Sequence, residues 1–366
     1  MDGEERETAG SGGASGTGPR VMRAVPRYTA FAIGAAATLW LLQELRPVLQ
    51  PVVLAVFVWF LMGAVARQFA RLGGHPAAQP VGYHFLLSGL ALAATAAIVV
   101  VLFWNGVAEL RENLPNYQAN LVNMLRPLAQ SAGLSSMPRL EELTEGVDFT
   151  NVFLGLLGSA ANQFGQLILI ACIVVFVFAE ARFFETKLAA VVGDEQRHRE
   201  ADALFTEIGR KIETYLGVKC LIGIVQAVPT YVILAMVGVD SPIIWAVFIF
   251  FLSFIPTIGS LVGIALPSIL ALVQFDSPVN FIITIACLAP VQLLASNWLE
   301  PRLTGSSLNL SPLAILVSIF AGGAVWGIVG ALISVPALAI VAIALAQSDR
   351  TRSIAVILSQ DGRPMA

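Results

Sequence analysis

The chain has 366 residues, of which 57% are hydrophobic and only 12% are charged. A soluble domain carries about 25% charged residues, so the composition predicts a surface solvated mainly by lipid and excludes an ordinary soluble protein. The net charge of −3 argues against nucleic acid as a partner.

The apolar segments come after an N-terminal stretch, 1–27, that is rich in Gly, Ser, Thr and Glu and predicts a disordered tail. Crossing the hydrocarbon core takes about 20 apolar residues. Residues 348–366 form a second tail. Between the tails we expect an all-α integral membrane domain, 28–347, of about eight membrane elements: 28–43, 48–66, 83–104, 164–181, 217–239, 242–275, 279–297 and 312–346.

Two polar connections are too long to be turns. In 106–162 we expect one short amphipathic helix, with Pro115, Pro127 and Pro138 dividing the stretch. The connection 182–216 has apolar residues at every fourth position, which predicts one helix face and a helix that runs into the fifth span. These residues are Leu204, Ile208, Ile212 and Leu216.

Basic residues near the ends of the spans predict the orientation. Arg and Lys precede the first span, follow the second and the last, and fill 182–216, whereas 106–162 is poor in bases. The pattern predicts that both termini and 182–216 lie on the cytoplasmic side of the membrane and that 106–162 lies on the opposite side.

Two of the apolar segments, 242–275 and 312–346, are too long for one straight span. At 1.5 Å per residue each would be about 50 Å long, about 20 Å more than the hydrocarbon core. Each must therefore break, and each contains the residues that allow it. They are Pro256, Gly259, Gly263 and Pro267 in the first, and Gly322, Gly323, Gly327, Gly330 and Pro336 in the second.

Such interrupted segments have two interpretations. Broken helices at membrane depth are tolerated where their backbone faces protein or a water-filled cavity, and they point to the binding site of a transporter. The alternative is two ordinary helical hairpins that serve only for packing. Both segments open with Ser-Pro and carry a proline in their second half, a weak internal similarity.

Three motifs carry a resemblance to a known family: "FLSFIPTIGSLVGIALP" at 251–267, "NWLEPRLTGSSLNLSPL" at 297–313 and "GGAVWGIVGALISVP" at 322–336. They resemble the autoinducer-2 exporter family of bacterial membrane proteins. The resemblance implies an eight-element inner-membrane protein, secondary transport without nucleotide hydrolysis, and a homo-oligomer, with a pentamer as the expected form.

The resemblance leaves the substrate open, because some members are linked to export of autoinducer-2 and others to sodium/proton exchange. The first hypothesis is export of a small polar solute, with autoinducer-2 as the candidate. The second is sodium/proton antiport. The third is a membrane scaffold that transports nothing.

Glu300 and Arg302 are charged residues beside long apolar runs, which marks them as functional candidates. Pro301 should push Glu300 out of the helical region and create a break there. Three roles stay open for the group: a helix cap and cytoplasmic anchor, a gate or latch, and direct binding of a coupling ion. Lys219, at the start of the fifth span, is expected to extend to the membrane edge.

Neutral polar residues in the same region could bind a hydroxylated solute or only join helices. Thr257 and Ser260 flank a predicted break, where they serve either a ligand or a turn. No metal-ligand spacing, phosphate loop or catalytic arrangement is evident, so we expect no enzyme, metal or cofactor. The residues expected in the transport path or its hinges are Pro256, Thr257, Gly259, Ser260, Gly263, Pro267, Gln292, Asn297, Glu300, Pro301, Arg302, Gly305, Asn309, Pro312, Gly327, Gly330 and Pro336.

Overall fold

The computed structural model describes residues 27–72, 82–131, 155, 167–181, 183–256, 258–275, 277–304 and 309–363. Nearly all of them are helical. The helices are α1 (Arg27–Glu44), α2 (Arg46–Leu72), α3 (Gly82–Ser131), α4 (Leu167–Ala181), α5 (Phe184–Val192), α6 (Glu195–Val237), α7 (Pro242–Leu252), α8 (Ile258–Gln274), α9 (Pro278–Leu294), a π-helical turn (Ala295–Leu299), α10 (Glu300–Thr304), α11 (Pro312–Ala346) and α12 (Arg352–Leu358).

The chain divides into two compact units, Met1–Glu44 and Leu45–Ala366. The first contains α1, an apolar helix of 18 residues. The second contains all the other helices and the candidate site.

Five helical stretches among the described residues are long and apolar enough to cross a membrane: Arg46–Arg67, Leu86–Met124, Glu195–Val237, Pro278–Leu303 and Pro312–Ala346. Large apolar side chains also lie on the surface, such as Phe176 at 73% and Met236 at 83% exposure. Apolar surface of this extent fits lipid rather than water. The all-α membrane class is therefore confirmed, whereas the number of eight membrane elements stays a prediction.

The third span and the first part of the polar stretch after it, as far as Ser131, form one continuous helix, α3, of 50 residues. The prediction that Pro115 and Pro127 divide this stretch is wrong, because the helix runs through both. A proline frees the carbonyl one turn earlier. Arg111, one turn before Pro115, is exposed, so water can satisfy its carbonyl there. Pro138 lies outside the described residues.

Helix α6 confirms the prediction that the 182–216 helix continues into the fifth span. It begins at a cap in which the Asp194 side chain accepts from the N–H of Gln196. It continues through Pro229 and ends at Gly238, whose φ of 82° terminates the helix. With 43 residues, α6 is the long support against which the candidate site is built.

The first long segment breaks as predicted. Helices α7 and α8 are separated by a short non-helical stretch that contains Pro256. The chain folds back there. The two arms approach so closely at Gly259 that a side chain on this residue would overlap the backbone carbonyl of Leu252. Pro267 lies inside α8 and breaks nothing. Thr257 lies outside the described residues.

The second long segment also folds back, within α11. Gly327 has φ 66° and ψ −143°, a conformation in which glycine alone avoids strain. The two arms touch through Gly322 and Gly330, where a side chain on either glycine would overlap the other's carbonyl. Pro312 begins the first arm, and Pro336 lies in the second arm without breaking it. We call α7–α8 the first hairpin and α11 the second hairpin.

The first hairpin starts where α6 ends, and its open end is closed by hydrogen bonds. The backbone N–H of Asp240 donates to Gln274 Oε1 at 2.9 Å, and Gln274 Nε2 donates to Asp240 Oδ1 at 2.9 Å. The carboxylate of Asp240 also accepts from Tyr117 of α3 at 2.5 Å. The long helix α3 is thereby joined to this end of the hairpin.

The two hairpins enter the helical bundle from opposite ends, because the spanning run α9, π-turn and α10 connects them. Phe254 and Ile255, at the tip of the first hairpin, belong to one buried cluster with Ile319 and Val335 of the second. This shared core packs the tip of the first hairpin against the arms of the second.

Candidate functional site

A row of polar side chains crosses the apolar interior between α6 and the run of α9, π-turn and α10. Each helix presents its polar residues at helical spacing, so they share one face. The row consists of Lys219, Gln226 and Thr230 on α6 and Gln292, Ser296 and Glu300 on the facing run. We call these six residues the polar row.

Three hydrogen bonds join the two sides of the polar row. Lys219 Nζ lies 2.5 Å from Glu300 Oε1. Gln226 Nε2 donates to Ser296 Oγ at 3.0 Å. At the far end, Gln292 Nε2 donates to the Thr230 hydroxyl at 3.2 Å. The row therefore changes from an ion pair at one end to neutral amides and hydroxyls at the other.

Several polar atoms along this line have no hydrogen-bond partner among the described residues. These atoms are Gln226 Oε1, Gln292 Oε1 and the hydroxyl of Tyr215, one turn before Lys219. Each lies in a residue that is at least 96% buried. A buried polar atom left unpaired costs about 1–3 kcal/mol, so this interior retains unused hydrogen-bonding capacity at a cost in stability.

The expectation that Lys219 extends to the membrane edge is wrong. Its side chain is 1% exposed, and it pairs with Glu300, which is 20% exposed. Its ammonium also donates to the carbonyl of Ser253 at 3.0 Å, at the break of the first hairpin. Burial of an ammonium requires such partners, and the carboxylate and the carbonyl provide them where the membrane edge would have provided water.

The first hairpin reaches the polar row through glycines. Gly263 of α8 lies against Gln292, because a Cβ there would be 3.8 Å from its side-chain carbon Cδ. Gly223 lets the break of the first hairpin pack closely against α6, because a Cβ at Gly223 would lie only 2.8 Å from Ser253 Oγ. Among the predicted hinge residues, Gly263 therefore borders the row directly.

The prediction about Pro301 is wrong. Glu300 has φ −57° and ψ −51°, which is helical. The irregularity lies just before it, in the π-helical turn, where the N–H of Glu300 donates to the carbonyl of Ala295. Such a wide turn accommodates a proline because it moves the preceding carbonyls away from the ring.

Glu300 and Arg302 do not pair with each other. Arg302 stacks on the ring of Trp298, with Cζ 3.8 Å from the ring centroid, and is exposed. Asn297 is exposed on the π-turn. Among these charged and amide side chains of the 297–313 motif, Glu300 thus turns towards the polar row, and Gly305 lies outside the described residues.

Asn309 does not join the polar row. Its side chain donates to Asp361 Oδ1 at 2.7 Å and to the carbonyl of Arg363 at 2.9 Å. Leu310 and Ser359 form an antiparallel bridge beside it. Asn309 therefore holds the C-terminal segment onto the entry to the second hairpin. Hydrogen bonding from Asn309 lowers the pKa of the exposed Asp361 carboxyl.

The remaining predicted hinge residues lie in the hairpins. Ser260 lies in the first turn of α8, the second arm of the first hairpin. Gly327 forms the turn of the second hairpin beside Arg46, whose Nη2 would lie 3.8 Å from a Cβ at Gly327. Among the described residues, no three His, Cys, Asp or Glu side chains are grouped as a metal site would require.

Sequence reasoning did not assign Lys219, Gln226, Thr230, Ser253 or Tyr215 to this site. For Thr230 a signal was present, since it follows Lys219 and Gln226 at helical spacing along one face of an apolar span. For Ser253 the interaction is through a backbone carbonyl, which no side-chain pattern reveals.

Comparison with known proteins extends the argument to function. Residues 29–350 match the model of the AI-2E family transporters. A putative transport protein of Borreliella burgdorferi is 30% identical over 257 residues, covering 69% of each chain. The AI-2 transport protein TqsA of Escherichia coli is 28% identical over 318 residues, covering 85% of this chain and 89% of TqsA.

A putative transport protein of Mycobacterium tuberculosis is 27% identical over 330 residues, covering 86% of each chain. These relatives are named transport proteins or putative transport proteins, and they match this chain along most of their length. With its spanning helices and its buried polar row, the chain belongs to the AI-2E family of membrane transporters.

Proposed function

We propose that this protein is a secondary transporter that exports a small polar solute across the bacterial inner membrane, and that the polar row binds the solute. The observation that carries the proposal is the set of unpaired oxygens at Gln226, Gln292 and Tyr215 inside an apolar bundle. Autoinducer-2 is the first candidate, because the relative at 28% identity is named an AI-2 transport protein.

The chemistry of the row favours a neutral, hydroxyl-rich solute. The amide oxygens of Gln226 and Gln292 accept hydrogen bonds, and a solute hydroxyl can donate to each. The one charged pair, Lys219 with Glu300, is internally neutralised. A charged solute would add an uncompensated charge to this interior, whereas a polyhydroxylated one would satisfy atoms that are already buried.

The hairpins give the proposed path its means of movement. The tip of the first hairpin packs in one buried cluster with the arms of the second, and Lys219 binds the carbonyl of Ser253 at the first break. A shift of this tip would alter the packing of Gly263 on Gln292, and so the access to the row. We further propose that both termini are cytoplasmic and that the protein is a homo-oligomer, with a pentamer as the expected form, which native mass spectrometry would count.

Sodium/proton antiport is the second candidate. The observation that favours it is the carboxylate of Glu300, which lies in the bundle next to the break and is 20% exposed. A titrating acid at such a position can couple a proton to a cation. This reading requires that Glu300 exchange protons during transport.

Flux measurements on protein in liposomes separate the hypotheses. Vesicles loaded with autoinducer-2 report export, and vesicles with a pH-sensitive dye report sodium/proton exchange. Efflux that is lost in Gln292→Met, without a dye response, supports solute export through the row. A sodium-dependent dye response that is lost in Glu300→Gln supports antiport. Silence in both assays, with correctly oriented protein, would favour a scaffold that transports neither.

A further inference from the structure

The buried ion pair has the ligands of a cation site, and an ammonium occupies it. Lys219 Nζ contacts the carbonyl of Ser253 at 3.0 Å and the carboxylate of Glu300 at 2.5 Å, and lies 5.9 Å from the Tyr215 ring centroid. Ser253 follows directly on α7. Carbonyls at the ends of broken helices are the groups that bind Na⁺ in transporters.

We propose that the ammonium of Lys219 is a tethered substitute for a coupling cation. It occupies the position that a sodium ion would take between the hairpin break and Glu300. The protein would then close this part of the site with its own charge and bind no sodium there. The proposal deepens the proposed function, because it concerns which ion the same site uses.

The burial of the two partners supports this assignment. Lys219 is 1% exposed and Glu300 is 20% exposed, so the carboxylate keeps a side through which an ion can enter if the ammonium is removed. Gly223, one turn after Lys219, brings α6 close to Ser253. The ammonium is therefore held against the break by backbone packing as well as by charge.

Removal of the Lys219 charge has a specific electrostatic consequence. Lys219→Met keeps the approximate length of the side chain but removes its charge, and it leaves a carboxylate and a carbonyl facing one interior position. An uncompensated carboxylate in such a place is costly, and a small monovalent cation would offset it. The substitution should convert a sodium-independent protein into one that binds sodium.

The test uses the full chain purified in detergent, with sodium replaced by choline at constant ionic strength. We would measure ²²Na⁺ binding and the thermal unfolding midpoint, Tm. Wild type and Lys219→Arg should show no sodium-dependent change. For Lys219→Met we expect saturable binding and a Tm that rises by about 2 °C for each tenfold increase in sodium above the dissociation constant.

The double variant Lys219→Met with Glu300→Gln is the matched control, because it removes both charges together. It should fold and ignore sodium. Sodium binding by wild type that is lost in Glu300→Gln would overturn the proposal. A Lys219→Met protein that folds but binds no sodium would also overturn it. The same holds if Lys219→Met aggregates at every sodium concentration while the double variant folds. No solute is used, so a failure of autoinducer-2 export is a separate result.

Discussion

Replacing Gln292 by methionine should make the protein more stable and less active. Gln292 is fully buried, and methionine has a similar length and shape but no polar atoms. If Gln292 serves only to join helices, its removal should destabilise the protein. If it is kept for binding a solute, the opposite sign is expected, because its oxygen has no partner.

The magnitude follows from the contacts of the side chain. Removal of the unpaired Oε1 should gain about 1–3 kcal/mol, and loss of the bond from Nε2 to Thr230 should cost about 0.5–1.5 kcal/mol. The Thr230 hydroxyl is not left unpaired, because it still donates to the carbonyl of Gln226 at 2.7 Å. We therefore expect a net stabilisation of about 1 kcal/mol, or a rise in Tm of about 2 °C.

The assay combines Tm in detergent with autoinducer-2 efflux from liposomes. Thr284→Val is the matched control, because Thr284 is equally buried on α9 and its hydroxyl bonds to the carbonyl of Asn280, one turn earlier. The control should retain efflux. A Gln292→Met protein that loses more than about 1 kcal/mol of stability, or transports like wild type, would refute the argument from unpaired atoms.

Three further results are expected. Glu300→Gln leaves the buried Lys219 ammonium without its carboxylate and should cost about 3–5 kcal/mol; an unchanged Tm would contradict the buried pair. Gly327→Ala should cost about 1–3 kcal/mol, because its φ of 66° strains any side chain, whereas Gly323→Ala makes ordinary contact at 3.9 Å and should leave Tm nearly unchanged. The pKa of Asp361 is lowered in the folded protein. Its contribution to the stability of the C-terminal segment is therefore fully present above the ordinary pKa of 3.8 and is lost as pH falls through the lowered folded pKa. Hydrogen exchange of the C-terminal segment, corrected for intrinsic rates, should therefore speed up only in acid, and Asp361→Asn should abolish that change.

The hairpins were predictable because sequence length and membrane thickness conflict. A segment as long as 312–346 cannot cross as a straight helix, and its glycines limit where it can turn. The location of the turn at Gly327 needed the structure, since several glycines of the same segment are equally able to adopt a positive φ. Proline was the less reliable signal: Pro267 and Pro336 lie within helical arms.

The ion pair was not predictable from the sequence. Lys219 and Glu300 are 81 positions apart, and the nearest base to Glu300 in sequence is Arg302. Charge spacing along one helix predicts only local pairs. The partner of Glu300 depends on how α6 packs against the π-turn, which is a tertiary property.

The π-helical turn Ala295–Leu299 explains why Glu300, Pro301 and Arg302 stand together directly after it. Pro301 lacks an N–H, and the π-turn accommodates its ring by shifting the register of the helix just before Glu300. In this register the acid faces Lys219 and the base lies on the Trp298 ring, so two opposite charges with one residue between them point to different environments. The motif therefore places a carboxylate in the interior while its neighbouring base stays outside, which is the arrangement that a site for an internal cation requires.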